Sequence, residues 1–68
     1  MIDTIYKNLG ALIAKLQLNL SDIAAGLGIT LATLKNKFLG KESINLDEAC
    51  YIAKLLNSDA YYLFAELA

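Results

Sequence analysis

Ile23-Ala24-Ala25-Gly26-Leu27-Gly28-Ile29-Thr30-Leu31-Ala32-Thr33-Leu34 is the stretch on which the fold turns. It places a small residue at Ala24, a glycine four positions on at Gly28, and a branched apolar residue six positions further at Leu34. Two short helices cross tightly under those conditions. Ala24 lets the second helix approach the first. Gly28 takes the turn with φ > 0, where any Cβ costs energy. Ile29 and Leu34 then plug the corner between the helices.

Working outward, helix two starts after Asn19 or Ser21 and ends near Leu27. Asn19 and Asp22 are spaced like a capping box, with aspartate as a shorter partner than the usual Glu or Gln. Helix three follows Thr30, a good N-cap, and stops at Gly40, a good residue for the first position beyond a helix. On the N-terminal side, helix one is predicted over about Thr4 to Leu16 with Asp3 as N-cap. Its apolar stripe is Ile5, Leu9, Leu12, Ile13 and Leu16, at helical offsets of 4, 7, 8 and 11. Gly10 within it costs roughly 1 kcal/mol relative to alanine.

Beyond the corner, Lys41 to Ile44 reads as a loop. Asn45-Leu46-Asp47-Glu48 fits a capping box at the head of helix four, with acids where the helix dipole favours them. Leu46, Ala49, Ile52, Ala53 and Leu56 form its predicted buried face. Asn57 ends it in the left-handed conformation. Ser58 or Asp59 caps helix five, which carries Tyr62, Leu63 and Phe64, with Leu67 one turn beyond. There is no proline, repeat, low-complexity stretch or linker. The chain is therefore expected to be all-α, with residues 1–68 forming one domain.

Composition narrows the function. Of 68 residues, 57% are hydrophobic and the mean hydropathy is +0.48. A domain this small has more apolar side chains than one core needs, which points to a second buried surface, most simply a homodimer contact. Tyr51, Leu55, Tyr61 and Tyr62 are the candidates for it, because tyrosine suits a half-wet interface. Cys50, the one cysteine, excludes an internal disulfide and reads as a small buried hydrophobe. The absence of histidine removes metal sites of the His/Cys type. No nucleophile–base pair and no glycine-rich phosphate loop is recognisable, so neither an enzyme nor a cofactor is expected, and no small-molecule ligand is evident. No apolar run approaches the roughly 18 residues of a membrane span, and the beginning of the chain carries Asp3 and no basic stretch. A cytoplasmic location is the default expectation.

Six lysines face seven acids, without arginine, and the isoelectric point is near 5.0. The distribution says more than the total. Lys35, Lys37 and Lys41 fall within seven residues, and no acid lies between Thr30 and Lys41. Asp47, Glu48, Asp59 and Glu66 gather elsewhere. A positive edge on a mildly acidic body is expected.

Two helices joined at such a corner form a helix-turn-helix, a module that usually lays its second helix in the major groove of DNA. The whole pattern resembles the phage-repressor-like (Cro or Xre-like) helix-turn-helix family. Asp22-Ile23-Ala24-Ala25-Gly26-Leu27-Gly28-Ile29-Thr30 is similar to its helix two and turn, and Leu39-Gly40-Lys41 to the end of its recognition helix. Asn45-Leu46-Asp47-Glu48-Ala49 through Leu63-Phe64 is similar to helices four and five. The resemblance implies a five-helix domain of a phage or bacterial transcriptional regulator, binding double-stranded DNA as a homodimer, with a recognition helix over about Leu31 to Leu39.

Carried over residue by residue, the resemblance makes Leu31, Ala32 and Asn36 the base contacts. Leu31 and Ala32 can touch only a thymine methyl, whereas Asn36 can bond adenine N6 and N7. Thr30, Thr33, Lys35, Lys37 and Lys41 are the phosphate contacts. The chain departs from the family at four kinds of position. Leu31 and Ala32 stand where glutamine, serine or arginine is frequent. Leu20 replaces a phosphate-reaching glutamine, Gln17 a glycine that closes helix one, and Ser58 a buried valine. These departures support an alternative, in which the fold serves as a protein-interaction or scaffold domain with little affinity for DNA.

Overall fold

The computed structural model describes residues 3–64. Five helices follow one another: α1 (Lys7–Leu16), α2 (Leu20–Leu27), α3 (Leu31–Phe38), α4 (Leu46–Leu55) and α5 (Ala60–Leu63). No strand occurs among the described residues. The all-α class and the packing of α2 against α3 agree with the sequence. Leu67 and Glu66 lie outside the described residues.

Local chemistry sets most of the boundaries. The side chains of Asn19, Thr30, Asn45 and Asp59 each accept a bond from a first-turn amide of their helix. At α4 the capping box is complete: Glu48 N donates to Asn45 Oδ1 (2.8 Å), and Asn45 N donates to Glu48 Oε1 (3.0 Å). At α2 it is not. Asn19 Oδ1 accepts from Ser21 N (2.9 Å), and Asp22 makes no return bond, its side chain being one methylene shorter than glutamate.

The four longer helices close alike. The N–H of the residue in left-handed conformation reaches back to one carbonyl, and the next N–H to a carbonyl five residues behind it: Leu18 to Ile13, Ile29 to Ala24, Lys41 to Asn36, and Ser58 to Ala53. This Schellman closure satisfies carbonyls that a helix end leaves open. The residues that take φ > 0 are Gln17 (56°), Gly28 (73°), Gly40 (80°) and Asn57 (52°). Gly28, Gly40 and Asn57 are suited to it. Gln17 carries a Cβ that the left-handed region disfavours.

Helix one begins later than the sequence suggests. Thr4 and Ile5 do not continue it; they tie the chain to the end of α3. Ile5 N donates to Phe38 O (2.9 Å), and the Thr4 hydroxyl donates to the same carbonyl (2.8 Å) while accepting from Tyr6 N (3.0 Å). The Phe38 carbonyl thus gains two donors that α3 cannot provide, and α1 starts only at Lys7, with Tyr6 rather than Asp3 as its unassisted N-cap. Ile5 accordingly leaves the stripe and is exposed, as is Leu16 at the other end. Tyr6 takes the buried place instead. Its ring meets Phe64 edge-on, with centroids 5.1 Å apart.

The core consists of Tyr6, Leu9 and Ile13 from the first helical region, Ile23 and Ala24 from α2, and Leu34 and Phe38 from α3. Ala49, Ile52, Ala53, Leu56, Leu63 and Phe64 complete it from the C-terminal half. Ile29 is half-buried against this cluster, and Leu34 is fully enclosed, so the corner is plugged as the spacing requires. Ser58 sits half-buried at the core edge. Two expectations for α4 fail. Leu46, the first helical residue of α4, is 76% exposed. Cys50 is exposed, since it lies about 100° round the helix from Ala49 and off the inward face formed by Ala49, Ile52 and Ala53.

Candidate nucleic-acid interface

Helix α3 shows two faces. Leu34 and Phe38 point into the core. At 100° per residue, Ala32, Asn36 and Leu39 fall on the opposite side, with Lys35 and Thr33 flanking them. Ala32, Lys35 and Leu39 are exposed, and Asn36 and Thr33 are half-exposed. The Asn36 side chain makes no hydrogen bond among the described residues, so its amide is available to an incoming group. Leu31 lies on the core-side flank, half-buried rather than at the crest.

Thr30 works at the head of this helix. Its Oγ1 accepts from Thr33 N (3.1 Å) and its hydroxyl donates to Thr33 Oγ1 (3.0 Å). Both hydroxyls are therefore organised by the cap. The first-turn amides of Leu31 and Ala32 have no acceptor within the helix, and they share the partial positive charge of the helix N-terminus.

The three lysines separate. Lys35 and Lys41 are exposed and hold no partner among the described residues. Lys37, in contrast, is engaged within the protein. Its ammonium donates to Ser43 O (2.8 Å) and to Glu48 Oε1 (3.2 Å), and the two side chains of this ion pair are only 13% and 14% exposed. It staples α3 to the following loop and to the head of α4. The Asn45 amide holds the Glu48 carboxyl below the usual carboxylate range. The neighbouring Lys37 acts in the same direction, and burial opposes both. Sequence reading found Glu48 as a capping residue. Its second role, with a lysine eleven positions away across a loop, has no local signature.

The proposed dimer residues lie on α4 and α5. Tyr51, Leu55, Tyr61 and Tyr62 are all exposed, Tyr61 to 89%. Tyr51 and Leu55 are one helical turn apart on α4. The backbone carbonyl of Tyr62 accepts from Asn8 Nδ2 (2.9 Å), which fixes α5 against α1. Tyr51 also lies over Gly26 of α2, where a Cβ would collide with its phenol. This close approach is a reason for glycine at 26 that the spacing of the corner does not give.

Comparison with family models, with curated proteins and with solved structures finds no match. Among the described residues no group of acids and cysteine is arranged to hold a metal ion, and no helix is long and apolar enough to cross a membrane.

Proposed function

We propose that this chain is the DNA-binding domain of a transcriptional regulator of the phage-repressor-like kind, using α3 in the major groove as one half of a homodimer. The observation that carries the reading is the α2–α3 corner. It is closed by Gly28 at φ 73° and capped at Thr30, with α3 buried along Leu34 and Phe38 and bare along Ala32, Lys35 and Asn36. A helix held by one side only, on a rigid base, has the shape that fits a groove about 12 Å wide. Asn36 reads a base edge, Ala32 meets a thymine methyl, and Lys35, Lys41, Thr33 and the α3 amides hold phosphates. Leu31 contributes less than the family pattern implies, because it is partly committed to the core side. A two-fold pair through Tyr51, Leu55, Tyr61 and Tyr62 covers the exposed apolar surface and presents two copies of α3.

The test is selection from random duplexes at about 50 mM salt, followed by titration of the wild type and Asn36→Ala against selected and random sequences. Asn36→Ala should lose about 1–3 kcal/mol on the selected site and much less on random DNA. Equal loss on both would reduce Asn36 to a positioning residue. No binding of any duplex refutes the reading. The second reading, a protein-interaction domain, is favoured by one observation, the internal use of Lys37, which leaves few free cations on an acidic chain. It predicts no retention on heparin at low salt.

A further inference from the structure

Among the described residues, the Lys37–Glu48 pair is the one place where a cation of the proposed DNA-facing helix is spent inside the protein. Three features make that engagement firm. Glu48 Oε1 accepts from the Asn45 amide in the capping box, a bond that does not involve Lys37. The carboxylate sits in the first turn of α4, where the helix dipole favours negative charge. Lys37 has a second acceptor in Ser43 O, so two of its three ammonium protons are already directed inward. The pair is largely shielded from water, so salt screens it less than it screens an exposed lysine on a phosphate.

We propose that Glu48 is an affinity-limiting residue for nucleic acid: its carboxylate competes with backbone phosphates for the Lys37 ammonium and keeps it off the DNA. This rests on the DNA-binding reading. It assigns Glu48, which no contact pattern on α3 itself reveals, the role of setting how many phosphates each protomer neutralises. Lys35 and Lys41 remain free in the wild type; when Glu48 loses its charge, Lys37 keeps only neutral acceptors, from which a phosphate can draw it as a third contact.

Glu48→Gln tests it, because glutamine keeps the oxygen that accepts from Asn45 and so keeps the cap. Binding to a fixed duplex is titrated at several salt concentrations for wild type, Glu48→Gln, Lys37→Met and the double variant. Glu42→Gln serves as the control, since it removes the same charge from an exposed glutamate with no lysine partner among the described residues. One added phosphate contact per protomer steepens the salt slope by about 0.9 and, at 0.1 M salt, raises affinity about eightfold, which becomes about 1.8 and about sixtyfold for the two-fold pair. The expected result is that gain for Glu48→Gln, no slope change for Glu42→Gln, unchanged affinity for Lys37→Met, and loss of the gain in the double variant. Lys37→Met in the wild-type background is informative even if Glu48→Gln fails to fold: a clear loss of DNA binding would mean that Lys37 already touches phosphate. An unchanged slope in Glu48→Gln, or a gain that survives Lys37→Met, likewise overturns the proposal while leaving DNA binding intact. Absence of duplex binding by wild type and Glu48→Gln alike overturns both this proposal and the function on which it rests.

Discussion

The four left-handed helix ends give a graded prediction, because the same backbone conformation is occupied by glycine twice, asparagine once and glutamine once. A side chain in the left-handed region costs about 1–2 kcal/mol. Replacing glycine also removes freedom from the unfolded chain, which returns about 0.4–1 kcal/mol. At Gly28 a Cβ meets nothing within 4 Å, so Gly28→Ala carries the backbone term alone, roughly 1 kcal/mol net. At Gly40 the Cβ would also come within 2.9 Å of Ile5 Cδ1. Ile5 is exposed and can rotate, at about 0.5–1.5 kcal/mol for leaving its rotamer, so Gly40→Ala should cost roughly 2 kcal/mol. Gln17→Gly runs in the opposite direction. The Gln17 side chain is exposed and makes no hydrogen bond among the described residues, so nothing is lost with it. Relief of the φ of 56° outweighs the added freedom of the unfolded chain by up to about 1 kcal/mol. In a domain of this size 1 kcal/mol moves Tm by about 4–8 °C, well within reach of thermal and urea melts followed by circular dichroism. The order Gln17→Gly above wild type, then Gly28→Ala, then Gly40→Ala is the result expected. A Gln17→Gly variant less stable than wild type, or a Gly28→Ala variant as stable as wild type, would refute the reasoning.

Three further outcomes are expected. Thr30→Ala should destabilise by about 1 kcal/mol in urea titration, and Thr30→Ser by far less, since serine keeps the capping oxygen. The depressed Glu48 pKa contributes stability that is present above the ordinary carboxylate range and is lost as pH falls through the folded value. Urea midpoints measured downward from pH 7 should therefore fall less steeply in Glu48→Gln than in wild type, and parallel curves would remove Glu48 from the acid response. Sedimentation equilibrium should show a dimer at micromolar or higher concentration that Leu55→Lys dissociates; a strict monomer at millimolar concentration rules out the Tyr51–Leu55–Tyr61–Tyr62 contact.

What the sequence by itself determined is the local grammar. Caps at Thr30 and Asn45, closures at Gly28, Gly40 and Asn57, and helical spacing between them depend on bonds spanning a few residues, so each is written where it acts; at the heads of α2 and α5 the sequence offered Asn19 or Ser21 and Ser58 or Asp59, and the structure uses Asn19 and Asp59. The Ala24–Gly28–Leu34 spacing likewise located the corner, because crossing two helices so closely needs small residues at fixed offsets. Tertiary structure decided everything that joins distant segments. Ile5 looked like a core residue by period, yet Thr4 and Ile5 leave the helix to satisfy the Phe38 carbonyl 34 positions from Thr4, and Tyr6 is buried in their place. Cys50 and Leu46 looked apolar enough to bury, but α4 has only one side against the core. Lys37 looked equivalent to Lys35 and Lys41; the return of the chain through Ser43 to Glu48 made it a structural cation instead. Local bonds can be read from neighbours in sequence, whereas the choice among competing partners for a carbonyl, a ring or an ammonium is made only when the chain has brought those partners together.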